Sequence, residues 1–214
     1  MPVSAPSQAL IAKVLDAMPM LHFWNGEFSL GGFDRHVLGS LFWEIMPKLP
    51  ERPVIVETGA GLTTLCFLAA LPAKLVTVSV DPDGGLEGRI RQWCTDNEFP
   101  LDRLEYVNGY SELHLPSIGM SGLQADLCMI DGGHGWPTTM VDFCYLNMCL
   151  KQGGYLIIDD TQLYSVSQLV QLLKRQPGWR IHHWAGAKTV IFVKETAERM
   201  LPDFGGQPFI LNNS

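Results

Sequence analysis

Two apolar segments in the second half of the chain end in residues that can handle protons or cations. DLCMID ends at Asp131, with His134 shortly after it, and YLIID leads into Asp159 and Asp160. A histidine titrates near neutral pH and can take a proton from a hydroxyl group, whereas carboxylate oxygens bind Mg²⁺. Neighbouring carboxylates repel by roughly 1–4 kcal/mol per close pair, unless a cation neutralises them, one is protonated, or they point apart.

A glycine-containing turn earlier in the chain is suited to a ligand that approaches the backbone. Glycines allow a tight turn, and the following helix offers free N–H groups at its start. Thr64 takes the place of the third glycine or alanine of the dinucleotide fingerprint, so glycines that only shape the turn are an open alternative. The residues of this turn are Glu57, Thr58, Gly59, Ala60 and Gly61.

Asp81 follows Gly61 by about 20 residues, at the end of the next predicted strand. A carboxylate at this position can accept hydrogen bonds from both hydroxyls of a ribose. The glycine turn and Asp81 together favour an adenosine-containing ligand, either NAD or S-adenosylmethionine (SAM).

The elements that position these residues alternate along the chain. Strands alternating with helices predict an α/β fold, Rossmann-like, with a mostly parallel seven-stranded sheet, one antiparallel strand and helices on both faces. Ligands of such sheets bind outside the carboxyl ends of the strands. Strands are predicted at 54–57, 75–80, 104–107, 126–131 and 155–159, with a closing hairpin at 179–184 and 188–194. The tight Ala-Gly-Ala connection of this hairpin predicts the one antiparallel strand. Helices are predicted at 8–18, 35–46, 62–71, 86–97, 138–150 and 165–175, and Asp34 is expected to cap the second of them.

The aromatic segment 21–34 is predicted to be a loop. Its side chains (His22, Phe23, Trp24 and Phe28) either cover the substrate as a lid or pack in the core.

The segments ETGAGLTT and VSVDPD resemble the first and second motifs of the class I SAM-dependent methyltransferases. Over residues 52–194, together with DGGH and GGYLIIDDTQ, the resemblance is to a bacterial branch of that family. It implies SAM as the cofactor, with Asp81 on the ribose and the segment 108–112 near the adenine. The catalytic residues so expected are His134 and Asp131. The cofactor-binding residues so expected are Glu57, Thr58, Gly59, Ala60, Gly61, Asp81, Tyr110, Ser111, Asp131 and Trp136.

At the two strand ends the pattern is similar to the catechol-type O-methyltransferases and to the sugar O-methyltransferases of antibiotic pathways. The resemblance implies Asp131, Asp159 and Asp160 as Mg²⁺ ligands, and it places His134 where the catechol type has a lysine base. The alternatives are that Asp131 caps its loop or faces the SAM sulfonium, and that Asp159 and Asp160 cap the next helix. His134 could also only orient SAM or close the loop, and Trp136 either stacks on adenine or packs in the core.

Composition limits the remaining classes of function. The chain has 214 residues and a net charge of −7, without a basic run, which disfavours a nucleic-acid partner. We find neither a signal peptide nor an apolar run of membrane-spanning length, so a cytoplasmic protein without a membrane partner is expected. Three regions are predicted: an N-terminal helical cap or lid (1–50), a SAM-binding domain (51–196) and a tail (197–214). The apolar first helix could mediate a homodimer.

The sequence thus predicts a SAM-dependent methyltransferase acting on a small molecule, at a hydroxyl oxygen. Two alternatives remain open at this point. One is an NAD(P)-dependent oxidoreductase on a related sheet, and the other is a non-catalytic SAM-binding module.

Overall fold

The computed structural model describes residues 4–81, 83–203 and 206–207. The predicted tail at 197–214 therefore lies partly outside the described residues. The chain divides into two compact units, residues 1–110 and 111–214, and each is described by itself.

The first unit begins with two helices and a small hairpin and continues into parallel strands. Strand β3 pairs in parallel with β4, and β4 pairs in parallel with β5. Asp34 caps α2 as predicted, because its carboxylate accepts a hydrogen bond from the backbone N–H of Val37 at 2.8 Å. The elements are α1 (Ala5–Ala17), β1 (His22–Trp24), β2 (Glu27–Ser29), α2 (Arg35–Ile45), β3 (Val54–Thr58), α3 (Leu62–Ala69), β4 (Lys74–Ser79), α4 (Leu86–Asp96) and β5 (Leu104–Asn108).

The second unit consists of alternating helices and strands closed by an antiparallel hairpin. Strand β6 pairs in parallel with β7, while β9 pairs antiparallel with both β7 and β8. The elements are α5 (Ser111–Met120), β6 (Ala125–Ile130), α6 (Thr138–Cys149), β7 (Leu150–Ile158), α7 (Tyr164–Arg175), β8 (Trp179–Ala185) and β9 (Thr189–Lys194).

The main sheet has seven strands in the order β5-β4-β3-β6-β7-β9-β8. Only β9 runs against its neighbours, which is the one antiparallel strand predicted from the tight Ala-Gly-Ala connection. The predicted fold class is confirmed. The strands β3, β4 and β6 are largely buried, as expected for parallel strands covered on both faces.

The structure differs from the local predictions at three places. The aromatic segment contains the hairpin β1–β2, whose turn residues Asn25 and Gly26 both have positive φ (52° and 86°). An Asn-Gly pair between short apolar runs is a recognised hairpin signal. Helix α5 was not predicted, because Pro116 inside it argues against a helix. Strand β7 begins at Leu150 rather than at 155.

Aromatic and aliphatic side chains fill the core of each unit. In the first unit the rings of Phe42 and Phe67 pack with their centroids 5.5 Å apart, which ties α2 to α3. In the second unit Phe192 is fully buried on β9, and its ring packs edge-on against Trp179. Across the described ranges, every helix is too short or too polar to span a bilayer.

Candidate functional site

Glu57 stands at the end of β3, beneath the glycine turn of the first unit. Its side chain is fully buried. Its carboxylate accepts hydrogen bonds from the hydroxyls of Thr63 at 3.1 Å, Thr64 at 2.6 Å and Thr77 at 2.7 Å. Burial raises the pKa of Glu57 to about 7, although the three hydroxyl groups act in the opposite direction. Glu57 therefore connects β3 to α3 and β4, and a direct contact between Glu57 and the cofactor stays a prediction.

Thr64 gives a physical reason for the departure from the dinucleotide fingerprint. Its Oγ1 donates to Glu57 and accepts the backbone N–H of Gly61 at 3.0 Å. The hydroxyl thereby fixes the turn to the buried carboxylate. Gly59 has a φ of 82°, and its N–H donates to the Val78 carbonyl at 3.0 Å. A glycine in this conformation leaves the backbone open to a close ligand, which fits the nucleoside part of SAM.

His22 on the β1–β2 hairpin contacts the same turn, which the sequence did not predict. A Cβ added at Gly61 would lie 2.6 Å from the His22 Nε2 atom, so a larger residue there would collide with the ring. The imidazole also makes a hydrogen bond to the backbone of Ala60. Burial, and then the positive charge of Arg89, lower the pKa of His22 below its ordinary value.

The aromatic side chains next to His22 are exposed rather than buried. Phe23 is 39% exposed, Trp24 65% and Phe28 52%. The core-packing interpretation of these three residues is therefore wrong. The hairpin covers the glycine turn through His22, and a lid over the substrate stays a prediction.

Asp81 caps helix α4 with its carboxylate. Oδ1 accepts the backbone N–H groups of Gly85 at 3.1 Å and Leu86 at 3.0 Å, and Oδ2 accepts that of Glu87 at 3.2 Å. The carboxylate therefore already accepts three backbone hydrogen bonds at the start of α4. The predicted contact of Asp81 with the ribose hydroxyls stays a prediction.

The residues assigned to the adenine differ in their exposure. In the first unit, Tyr110 is 63% exposed and follows Gly109, whose φ is 150°. In the second unit, Ser111 is buried at the start of α5, and Trp136 is 76% exposed. The interpretation of Trp136 as a core residue is wrong. Contacts of Tyr110, Ser111 and Trp136 with adenine stay predictions.

His134 lies between two carboxylates of the second unit. Its Nε2 is 3.9 Å from Asp131 Oδ1, and its Nδ1 is 3.6 Å from Asp160 Oδ2. Nε2 is buried without a hydrogen-bond partner in the part of the chain that the structure describes. The hydroxyl of Ser165 donates to the His134 carbonyl and holds its loop against α7.

Lys188 supplies a cation beside the paired acids. Its Nζ donates to Asp159 Oδ2 at 2.9 Å and to Asp160 Oδ1 at 2.8 Å. Partial burial alone would lower the pKa of Lys188, but the hydrogen bonds that it donates to Asp160 and Asp159 raise the pKa above the usual value. Partial burial alone would likewise raise the pKa of Asp160, but the hydrogen bonds from Lys188 and Gln162 lower it.

The side chains do not fit the magnesium site implied by the resemblance. Within the described ranges, no three His, Cys, Asp or Glu side chains stand together in a way that could hold a metal ion, and this includes Asp131, Asp159 and Asp160. The paired acids bind Lys188, and the hydroxyl of Thr189 donates to Asp159. In the described part of the chain the two acids accept hydrogen bonds from Lys188, Thr189 and Gln162, which does not support the alternative of a helix cap.

Lys188 was not recognised as a site residue from the sequence. It lies in the turn between β8 and β9, far along the chain from both acids. A lysine at the start of a strand is common on protein surfaces.

Comparisons with known proteins agree with this geometry. Residues 56–161, about half of the chain, match the family described as "Methyltransferase domain". No curated protein matches the sequence. A methyltransferase structure from Geobacter sulfurreducens is similar, with a TM-score of 0.61 and 17% identity over 92% of this chain and 92% of the other.

Two further solved structures resemble the chain. The O-methyltransferase TomG from Streptomyces achromogenes, involved in tomaymycin synthesis and solved with SAM, has a TM-score of 0.61 and 14% identity, over 87% of this chain and 90% of its own. The methyltransferase PaMTH1 from Podospora anserina was solved with S-adenosylhomocysteine. It has a TM-score of 0.62 and 12% identity, over 87% of this chain and 88% of its own.

The matched family segment contains the glycine turn, Asp81, Asp131, His134 and the pair Asp159–Asp160. The observed sheet order and the single antiparallel strand complete the fold that the resemblance implied. The chain accordingly belongs to the methyltransferases, with the fold of structures that were solved with SAM and S-adenosylhomocysteine.

Proposed function

We propose that the enzyme transfers the methyl group of SAM to a hydroxyl oxygen of a small molecule, and that His134 removes the hydroxyl proton. One observation carries the proposal: Nε2 of His134 is buried without a hydrogen-bond partner among the described residues and has carboxylates on both sides of its ring. A base of this kind is needed when the acceptor is a hydroxyl group, which is too weakly acidic to ionise at neutral pH.

Each group of residues has its own part in the proposed reaction. When bound, SAM supplies an electrophilic methyl group on a sulfonium. The residues assigned to binding it are the glycine turn, with Glu57 beneath, and Asp81. His134 accepts the proton that the hydroxyl loses at the moment its oxygen bonds to the methyl carbon. Asp131 and Asp160 lie 3.9 and 3.6 Å from the two ring nitrogens and orient the imidazole. Ser165 donates a hydrogen bond to the His134 carbonyl and so holds the loop that carries His134.

The names of similar structures agree with oxygen as the acceptor atom. The Streptomyces achromogenes protein is an O-methyltransferase involved in tomaymycin synthesis. This supports the choice of oxygen for the present enzyme without identifying its substrate. Substrate choice depends on loops and caps that vary among proteins of one fold.

The test is a methyl-transfer assay with SAM labelled in its methyl group and a panel of small molecules. The panel pairs each hydroxyl compound with its amine or thiol counterpart. The His134→Gln variant should lose about 10²–10⁴-fold in turnover, the range of a lost general base, and should still bind SAM in calorimetry. His36→Gln, an exposed histidine on α2, should behave as the unchanged protein. Methylation of amines alone, or full turnover by His134→Gln, would refute the proposal.

A further inference from the structure

Lys188 is held in the place that a cation would take at the end of β7. Its ammonium bridges the two neighbouring acids, 2.9 Å from Asp159 Oδ2 and 2.8 Å from Asp160 Oδ1. The Asp159 side chain is only 2% exposed, so its charge is almost fully withdrawn from water. A carboxylate so placed requires a partner of opposite charge, and removing that partner is destabilising.

The other carboxylate oxygens of the pair are also occupied by the protein. Asp159 Oδ1 accepts the hydroxyl of Thr189, and Asp160 Oδ2 faces His134 Nδ1 at 3.6 Å. Mg²⁺ requires near-octahedral oxygen ligands at about 2.0–2.1 Å. An ion entering here would have to replace these contacts and displace an ammonium of like charge.

The backbone fixes Lys188 as firmly as its side chain does. The N–H of Thr161 donates to the Lys188 carbonyl at 2.9 Å, just after the acid pair. The next residue, Thr189, begins β9, which pairs with β7. Backbone and side-chain contacts therefore join the β8–β9 turn to the segment that carries Asp159 and Asp160. A mobile surface lysine would not be held in this way.

We propose that the Lys188 ammonium replaces the divalent cation at this strand end, so that methyl transfer by this enzyme is independent of Mg²⁺. The inference rests on the O-methylation proposed above and names its acceptor class. An ammonium donates hydrogen bonds but has no open coordination positions for two oxygens of a diol. The acceptor class is therefore compounds with a single reacting hydroxyl, and a vicinal diol is not required.

Metal binding is tested first, because it needs no substrate. The whole protein is titrated with Mn²⁺, as a spectroscopic substitute for Mg²⁺, and followed by electron paramagnetic resonance and thermal unfolding. The unchanged protein should bind no Mn²⁺, and its melting temperature should be the same in chelator and in excess Mg²⁺. Lys188→Met should melt at least about 5 °C lower, gain one Mn²⁺ and recover part of its melting temperature with it. Lys188→Arg should behave as the unchanged protein.

Lys151→Met is the matched control. Lys151 also pairs with a carboxylate, Asp126, at 2.7 Å, but its own side chain is 41% exposed and it contacts one acid rather than two. This variant should lose little stability and gain no Mn²⁺. One equivalent of Mn²⁺ on the unchanged protein would overturn the inference even if Lys188→Met does not fold. A Lys188→Met protein that is as stable as Lys151→Met, or that binds no Mn²⁺, would also contradict it.

The acceptor class is tested in the methyl-transfer assay, with matched phenols and catechols in chelator and in Mg²⁺. Equal turnover of phenols in both conditions supports the inference. Turnover restricted to catechols, and only with Mg²⁺, overturns it. Failure to methylate any hydroxyl compound would refute the proposed function, whereas the Mn²⁺ titration would still decide on the cation.

Discussion

Replacing Glu57 with glutamine should change how the stability of the protein depends on pH. Glu57 is fully buried, and its pKa is raised to about 7 from the usual 4.5. Glutamine has nearly the same shape and no charge. The amide can still accept a hydrogen bond from Thr64 or Thr77, whose hydroxyls lie 2.6 and 2.7 Å from the carboxylate oxygen.

The direction and the size of the effect of Glu57→Gln on stability follow from the linkage between proton binding and folding. Below pH 4.5 the carboxyl is protonated in both states, and above pH 7 it is ionised in both. Between these values the unfolded chain binds fewer protons than the folded one, so stability falls as pH rises. A shift from 4.5 to about 7 at 1.36 kcal/mol per pH unit corresponds to about 3 kcal/mol. As the pH rises from 4.5 to 8, the free energy of unfolding of Glu57→Gln should therefore increase by about 3 kcal/mol relative to that of the unchanged protein.

The assay is urea unfolding of both proteins at several values of pH from 5 to 8. The difference between their free energies of unfolding is the quantity to compare, because the other titrating groups cancel in it. Glu112→Gln is the control. The pKa of Glu112 is lowered below its usual value, chiefly by a hydrogen bond from Thr138. Glu112 therefore titrates below pH 4.5. The difference in unfolding free energy between Glu112→Gln and the unchanged protein should not change between pH 5 and pH 8. A flat difference for Glu57→Gln would refute the reasoning.

Two further predictions concern the cofactor half of the first unit. Asp81→Ala should lose about 1–2 kcal/mol of unfolding free energy, because α4 loses its cap. Calorimetry should also detect weaker SAM binding by this variant. An unchanged unfolding free energy together with unchanged SAM affinity would contradict the assignment. Gly61→Ala should displace His22, since the added Cβ would lie 2.6 Å from its ring. Proteolysis within the β1–β2 hairpin should then be faster, and SAM affinity should fall. An unchanged rate of cleavage would show that the contact between His22 and Gly61 does not hold the hairpin.

The sequence predicted the elements whose signals are local. Alternating strands and helices, the glycine turn and the Ala-Gly-Ala connection each depend on neighbouring residues, and these predicted the sheet correctly. Helix α5 was missed because Pro116 and its weak periodicity hide it. The β1–β2 hairpin was missed although Asn25-Gly26 is a standard turn pair, because two glycines and several aromatics around it favoured a loop.

The site was predicted less completely, because contacts between distant residues decide it. The acids and His134 could be named from their positions at strand ends. What neutralises Asp159 and Asp160 could not, since Lys188 reaches them only through the pairing of β9 with β7. Thr64 is a second example. In the sequence it was a mismatch to the dinucleotide fingerprint, whereas in the structure its hydroxyl donates a hydrogen bond to Glu57.

The position of Lys188 in the last hairpin has a consequence for synthesis on the ribosome. The acids at 159 and 160 leave the exit tunnel before the lysine that neutralises them. Until the β8–β9 turn has emerged, the end of β7 holds two unpaired charges, and closing it is unfavourable. The second unit therefore acquires its chemical centre only when β9 pairs with β7. A nascent chain arrested before residue 188 would keep this end of the sheet open to solvent.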